Sequence, residues 1–131
     1  MKTDTYIGIP FKKNGFDRSG CDCWRLVIMV YRDELGIDLP GFDGIYVDET
    51  LASLKKVTRH IRETKEQWKK VTKPKTFDVI LLRTGSMVYH VGVVVGKRTM
   101  LHVTEGIDST IEEFTGIQWK DKIEGFYRYA R

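Results

Sequence analysis

The chain has 131 residues, of which 41% are hydrophobic and 31% are charged, and its formal net charge is +4. This size and balance predict one ordered globular domain over residues 1–131 and exclude a disordered or low-complexity protein. No apolar run approaches the roughly 20 residues that span a bilayer, so we expect no membrane insertion. The first residues lack the apolar stretch and cleavage site of a signal peptide. The charge is basic, but no nucleic-acid recognition motif accompanies it, so we expect no nucleic-acid partner.

The first half of the chain predicts helices. Residues 7–15 contain glycine, proline and an Asn-Gly pair, which are typical of a lead-in loop. Apolar side chains then recur at helical spacing over residues 23–35, with Asp22 in the N-cap position and a glycine at the end, which predicts a helix there. A second apolar stripe over residues 51–71 predicts one long helix or two short ones.

The second half of the chain predicts β-strands. Three β-rich runs lie at residues 77–82, 89–95 and 100–103, separated by glycine-containing turns, and a fourth candidate covers residues 125–130. Helices first and antiparallel strands second are typical of an α+β domain. We expect the sheet to pack against the first helix.

Two cysteines stand in the run Cys21-Asp22-Cys23. They are too close in sequence to build a disulfide framework, and zinc sites normally separate paired cysteines by at least two residues. Cys23 falls in the first turn of the predicted helix, where unpaired N–H groups and the helix dipole lower a thiol pKa and favour the thiolate. Cys23 is therefore the candidate nucleophile, and Cys21 is its rival. A small buried core residue is the alternative interpretation of either thiol.

Two histidines are candidate partners of this thiol. His90 lies on a predicted strand after a hairpin and could accept the thiol proton, and His102, one strand later, could orient its ring. Gly92 shares the face of His90, and its missing side chain would let a backbone or a substrate approach closely. A structural histidine is the alternative at each position. A metal-binding module made of these two histidines and the two cysteines is a further, weaker alternative.

The order of these motifs resembles the NlpC/P60 family of cysteine peptidases. The opening segment, the helix start at Gly20–Val27 and the helix exit are similar to those of the family, and Asp22-Cys23-Trp24 looks like its phage-associated branch. The downstream similarities are Phe77–Leu81, His90–Gly96 and Leu101–Val103. The resemblance covers most of the chain, in order.

This resemblance implies a papain-like α+β fold with N-terminal helices packed on a C-terminal antiparallel β-sheet. It implies an endopeptidase that hydrolyses peptide bonds in bacterial peptidoglycan stem peptides, often beside a D-glutamyl residue, without a cofactor or a metal. Carried over by position, Cys23 is the nucleophile, His90 the base and His102 the orienting residue. Cys21 is then a packing residue.

The chain departs from the family pattern near the nucleophile. Trp24 and Arg25 replace a small pair, so we expect altered space there and a positive charge for a carboxylate-bearing substrate. Phe11 stands where the family often has a tyrosine near the oxyanion, so the backbone N–H of Cys23 would carry more of that stabilisation, and Tyr6 could compensate. The substrate-binding or oxyanion candidates are Tyr6, Phe11, Asp22, Trp24 and Arg25.

The setting follows from the same resemblance. The Asp-Cys-Trp form, without a signal peptide or wall-binding repeats, predicts a phage-tail component that is made in the bacterial cytoplasm and acts at the host cell wall, with other tail proteins as partners. Two alternatives stay open. One is a Cys-His N-acetylmuramoyl-L-alanine amidase, and the other is a structural tail assembly or adaptor protein with a weakly active or inactive fold.

Overall fold

The computed structural model describes residues 1–13, 15–41 and 51–131. The helices are α1, Cys23–Val30, and α2, Leu51–Glu63, and short 3₁₀ turns cover Thr3–Tyr6 and Lys120–Lys122. The strands are β1, Phe16–Asp17; β2, Gly20–Cys21; β3, Trp68–Val71; β4, Val79–Thr84; β5, Met87–Val94; β6, Thr99–Thr104; β7, Ile107–Glu113; and β8, Ile123–Tyr129.

The helix α1 begins and ends as its sequence predicts. A carboxylate oxygen of Asp22 accepts a hydrogen bond from the backbone N–H of Arg25 at 2.9 Å, which satisfies a donor that the first turn leaves unpaired. The helix continues in π form over Tyr31–Leu35 and stops at Gly36, whose φ of +66° is a left-handed conformation that glycine adopts without strain. The prediction of a helix over residues 23–35 is confirmed.

Six strands of the described ranges form one antiparallel sheet in the order β3-β8-β4-β5-β6-β7. The helix α1 packs against β5 and β6, and α2 packs against β5 and β3. Side chains of both helices and the facing strands share the larger apolar cluster, while a smaller cluster gathers Ile80, Leu82, Val94, Met100, Phe114 and Trp119. The predicted α+β class is confirmed.

The prediction of a helix reaching residue 71 is wrong. The helix α2 ends at Glu63, and a turn held by the carbonyl of Thr64 leads into β3, which pairs with β8. Trp68 is buried against Tyr129, with ring centroids 5.1 Å apart. Because Trp68 enters the same core as Val57 and Ile61 of α2, its spacing from them imitated a continued helical stripe.

The lead-in segment covers one edge of the sheet. The backbone of Gly8 donates a hydrogen bond to the carbonyl of Ser109 on β7, at 2.9 Å, and the N–H of Ser109 donates to the carbonyl of Ile9, at 2.8 Å. These bonds protect an edge strand that would otherwise expose unpaired backbone groups. The β1–β2 hairpin follows and leads directly into α1.

Candidate active site

Cys23 is the first residue of α1 and is 2% exposed. Cys21 lies on β2 and is fully buried, and neither cysteine is part of a disulfide. Burial therefore does not distinguish the two thiols. Position does, because the N-terminus of a helix stabilises a thiolate and a short strand offers no comparable field.

The structure brings the two predicted histidines into direct contact. Nε2 of His90 on β5 lies 2.8 Å from Nδ1 of His102 on β6, and the residues are 4% and 3% exposed. Gly92 makes this approach possible. A Cβ at position 92 would stand 3.1 Å from the carbonyl oxygen of Leu101 and 3.3 Å from Cβ of His102, so the expected close approach of another backbone is confirmed.

Trp119 covers both imidazole rings. Its indole stacks on His90 with centroids 6.0 Å apart and planes at 29°, and it meets His102 edge-on at 5.2 Å. Trp119 belongs to the smaller apolar cluster, so the histidine pair borders that cluster. We did not predict this residue, because it lies outside the periodic segments, just before the short 3₁₀ turn that precedes β8.

Glu112 extends the histidine pair to a third side chain. Its Oε2 lies 2.5 Å from Nε2 of His102. The carboxylate comes from β7, the strand paired with β6, and its side chain is 34% exposed. In the sequence, the glycine at position 106, directly after β6, is a signal for a hairpin turn and hence for β7. In the structure Gly106 has a φ of +85°, the left-handed conformation that such turns use.

Burial dominates the titration of both rings. It holds the pKa of His90 well below the ordinary value, and the neighbouring His102 adds to this effect. The pKa of His102 is also lowered by burial, while its hydrogen bond to Glu112 and the charge of that carboxylate partly offset the shift. Both imidazoles are therefore neutral at neutral pH, the state in which a histidine can accept a proton.

Asp22 and Arg25 form an ion pair beside Cys23. Nη1 of Arg25 lies 2.9 Å from Oδ2 of Asp22, and the two side chains are 4% and 0% exposed. The guanidinium also donates to the carbonyl of Gly41 at 3.3 Å. These bonds give both residues a structural role at the start of α1, and a substrate-binding role for either stays a prediction.

The other oxyanion and substrate candidates also have contacts within the chain. The indole of Trp24 is fully buried and donates to the carbonyl of Pro40 at 2.8 Å. The hydroxyl of Tyr6 donates to Glu34 at 2.8 Å, and burial and that carboxylate raise the pKa of Tyr6 to about 12. Phe11 is partly buried against the larger cluster. Their roles toward a substrate stay predictions.

A cavity of about 220 Å³ adjoins His102, with Glu112, Asp108 and Trp119 among its other walls. Within the described ranges, no three His, Cys, Asp or Glu side chains are grouped so that they could hold a metal ion. The metal-module hypothesis therefore gains no support. In the same part of the chain, no helix is long and apolar enough to cross a bilayer.

The model of the NlpC/P60 family matches residues 8–128. The chain belongs to the NlpC/P60 family. MepS of Escherichia coli (strain K12), a murein DD-endopeptidase and murein LD-carboxypeptidase, is 25% identical over 117 residues, which make up 88% of this chain and 53% of MepS. This chain thus spans about half the length of the curated relatives that it matches.

Solved NlpC/P60 structures share the fold. The NlpC/p60 domain of the peptidoglycan hydrolase SagA superposes with a TM-score of 0.64 at 22% identity, covering 96% of this chain and 92% of that chain. An NlpC/P60 family protein from Bacillus cereus ATCC 10987 gives a TM-score of 0.69 at 19% identity, with coverages of 96% and 37%. The predicted papain-like NlpC/P60 fold is confirmed.

Proposed function

We propose that this NlpC/P60 domain is a cysteine endopeptidase that hydrolyses peptide bonds in peptidoglycan stem peptides, with Cys23 as nucleophile, His90 as base and His102 as the residue that orients His90. The observation that carries the proposal is the buried hydrogen bond between His90 and His102. The helix that begins at Cys23 packs against the two strands that bear these rings. Membership of a family with murein-hydrolysing relatives supports the substrate class.

The reaction has two steps. The Cys23 thiol gives its proton to His90, and the thiolate attacks the scissile carbonyl carbon; the C–N bond then breaks as the His90 imidazolium protonates the departing amine. Water next attacks the thioester and gives a proton to His90, and the thiolate leaves as the carboxylic acid product is released. No cofactor enters either step.

The oxyanion of each tetrahedral intermediate would be stabilised by the backbone N–H of Cys23. This group lies at the first position of α1, where the helix dipole favours negative charge. One such donor is often worth about 10²–10³ in rate. The hydroxyl of Tyr6 is bonded to Glu34, which leaves the backbone donor as the stronger candidate.

The first specific point of the proposal is which peptidoglycan bond is cleaved. Resemblance to the family favours a stem-peptide bond beside a D-glutamyl residue, while the name of the relative MepS gives that protein a DD-endopeptidase activity. Mass spectrometry of products from purified peptidoglycan separates the two, since a DD-endopeptidase splits cross-linked dimers and a D-glutamyl endopeptidase shortens the stem. Release of intact stem peptides from the glycan would instead identify an amidase.

The second specific point of the proposal is the biological setting in which the domain acts. We propose that the domain acts as a phage-tail component that reaches the wall from the virion, and the Asp22-Cys23-Trp24 sequence supports this. Quantitative mass spectrometry of purified virions from a strain that makes the protein would detect it at fixed stoichiometry with tail proteins. Its absence from virions would remove the phage role and leave the peptidase proposal intact.

The decisive experiment measures alkylation of each cysteine by iodoacetamide between about pH 5 and 9, alongside release of peptides from peptidoglycan. We expect Cys23 to react with an apparent pKa well below about 8.5, and His90→Ala to abolish this. Cys23→Ala should end peptide release, while Cys21→Ala, the matched control two residues away, should retain it.

Three results would contradict the proposal. If Cys23 titrates as an ordinary thiol and His90→Ala has no effect on it, the thiol and the imidazole are not coupled. If the wild type releases no peptides and Cys23→Ala leaves phage assembly and infection unchanged, the domain is a structural tail or adaptor protein. Loss of release in Cys21→Ala alone would assign the nucleophile to the rival thiol.

A further inference from the structure

We propose that Glu112 is a positioning residue that fixes the tautomers of both histidines through one chain of hydrogen bonds. This inference rests on the proposed function for its catalytic meaning. Its geometric basis is the pair of contacts from Glu112 to His102, at 2.5 Å, and from His102 to His90, at 2.8 Å.

The proton positions follow from the chemistry of the groups. A carboxylate can only accept a hydrogen bond, so Nε2 of His102 must carry the proton that it donates to Glu112. The neutral ring of His102 then has a bare Nδ1, which accepts, and Nε2 of His90 must be the donor to it. This leaves Nδ1 of His90 without a proton, as a general base requires.

The carboxylate of Glu112 thus fixes the tautomer of His90 through two successive hydrogen bonds. If the Glu112 side chain were removed, His102 could place its proton on either nitrogen, and a proton on Nδ1 would force Nε2 of His90 to accept. His90 would then carry its own proton on Nδ1. In that tautomer, Nδ1 cannot accept the proton of the Cys23 thiol. In serine proteases the analogous loss of a tautomer-fixing carboxylate severely impairs catalysis.

Among the described residues, the other titratable or charged groups near the pair are Asp108, Lys122 and Tyr89. Asp108, also on β7, lines the same cavity as His102 and Glu112. The ammonium of Lys122 lies 5.5 Å from the ring centre of Trp119, the residue that contacts both histidines. Tyr89 precedes His90 on β5 with ring centroids 6.2 Å apart. Of the carboxylates in the described ranges, Glu112 is the one that bonds His102 directly.

The test reads the tautomers themselves. Two-bond ¹H–¹⁵N correlation spectra of the full chain should show His90 and His102 both protonated on Nε2 in the wild type, and Glu112→Ala should lose this fixed pattern. Glu113→Ala, an exposed neighbour on the same strand, is the matched control and should keep it. Glu112→Gln keeps the side-chain size and removes the charge, so it covers the case in which the alanine variant unfolds.

The same variants change the reactivity of the thiol. Loss of the negative charge disfavours the imidazolium of the thiolate–imidazolium pair, so the apparent pKa of Cys23 should rise in Glu112→Gln and in Glu112→Ala. Peptide release should fall by about tenfold to a hundredfold, the range typical of residues that orient a catalytic group. Asp108→Asn, which removes a charge from the same cavity without a bond to His102, should leave the histidine tautomers unchanged.

The inference and the proposed function fail separately. If the wild-type spectra place the proton of His102 on Nδ1, or if both Glu112 variants keep the wild-type tautomers and the wild-type pH profile of Cys23, Glu112 has no positioning role. If the tautomers change as expected but Cys23 shows no dependence on His90, the hydrogen-bond chain stands and the peptidase proposal falls.

Discussion

Arg25 is a charged residue held almost entirely away from water, next to the proposed nucleophile. Its guanidinium is paired with Asp22, which also caps α1, so one carboxylate both starts the helix and compensates a buried charge. Breaking such a pair leaves a buried charge without its counterion. The start of α1, and with it the position of Cys23, thus depends on this pair.

We expect Arg25→Met to lower the free energy of unfolding by about 3–5 kcal/mol, because Asp22 would remain buried after losing its partner. Denaturant titration measures this loss. Arg32→Met is the matched control, since Arg32 is half exposed where it pairs with Asp33, and it should cost at most about 1 kcal/mol. An Arg25→Met protein as stable as the wild type would show that the pair adds nothing to stability.

The contact between β5 and β6 is the structural element on which the histidine pair depends. Gly92 lies opposite Ile80 on β4 and faces the carbonyl of Leu101 and Cβ of His102 on β6. A methyl group there would be tighter than ordinary packing allows, so β6 would move away by a few tenths of an ångström. The two rings would separate with it.

Gly92→Ala should therefore slow peptide release roughly tenfold through misplacement of His102 and destabilise the fold by about 1–3 kcal/mol. Release assays and thermal unfolding measure the two effects. Gly116→Ala is the control, because its nearest contact, the carbonyl of Glu113 at 3.4 Å, is ordinary, and we expect less than about 0.5 kcal/mol. Unchanged release in Gly92→Ala would mean that the site tolerates a wider strand spacing.

The elements differ in how far the sequence could predict them. The helix α1 carries its own signals, a cap, a period and a terminal glycine, so its bounds were predictable. The strand β3 was not predictable, because Trp68 is buried through the pairing of β3 with β8, which lies more than fifty residues later in the chain. The strand β7 was missed because its residues are mostly polar, and with it Glu112, whose contact depends on the register between β6 and β7.

At the scale of the whole molecule, three histidines make the stability of the fold depend on pH. Burial lowers the pKa of His60, His90 and His102 in the folded state from the ordinary value of 6.5. Below about pH 6.5 the histidines therefore bind protons in the unfolded chain but stay neutral in the folded chain. The free energy of unfolding decreases as the pH falls. Above that pH both states are neutral, and these groups contribute no pH dependence.

We expect the free energy of unfolding to decrease from about pH 6.5 to pH 5, by up to about 1.4 kcal/mol per pH unit for a fully buried histidine such as His90. Carboxylates titrate mainly below this window. Chemical denaturation at fixed pH steps measures the slope, and His90→Gln should reduce it, because glutamine does not titrate while His60 and His102 still do. A wild-type stability that is constant across this window would contradict the burial of neutral imidazoles.

The strand β8 lies inside the sheet, between β3 and β4, although it is made after all the other strands. During synthesis, Cys23 leaves the ribosome long before residues 123–129, and β4 has no β8 beside it until those residues emerge. Completion of the sheet between β3 and β4 therefore waits for residues 123–129. A chain that stops before Ile123 would therefore leave the backbone groups of β4 unpaired along the edge that β8 covers, and such an open edge can pair with another chain.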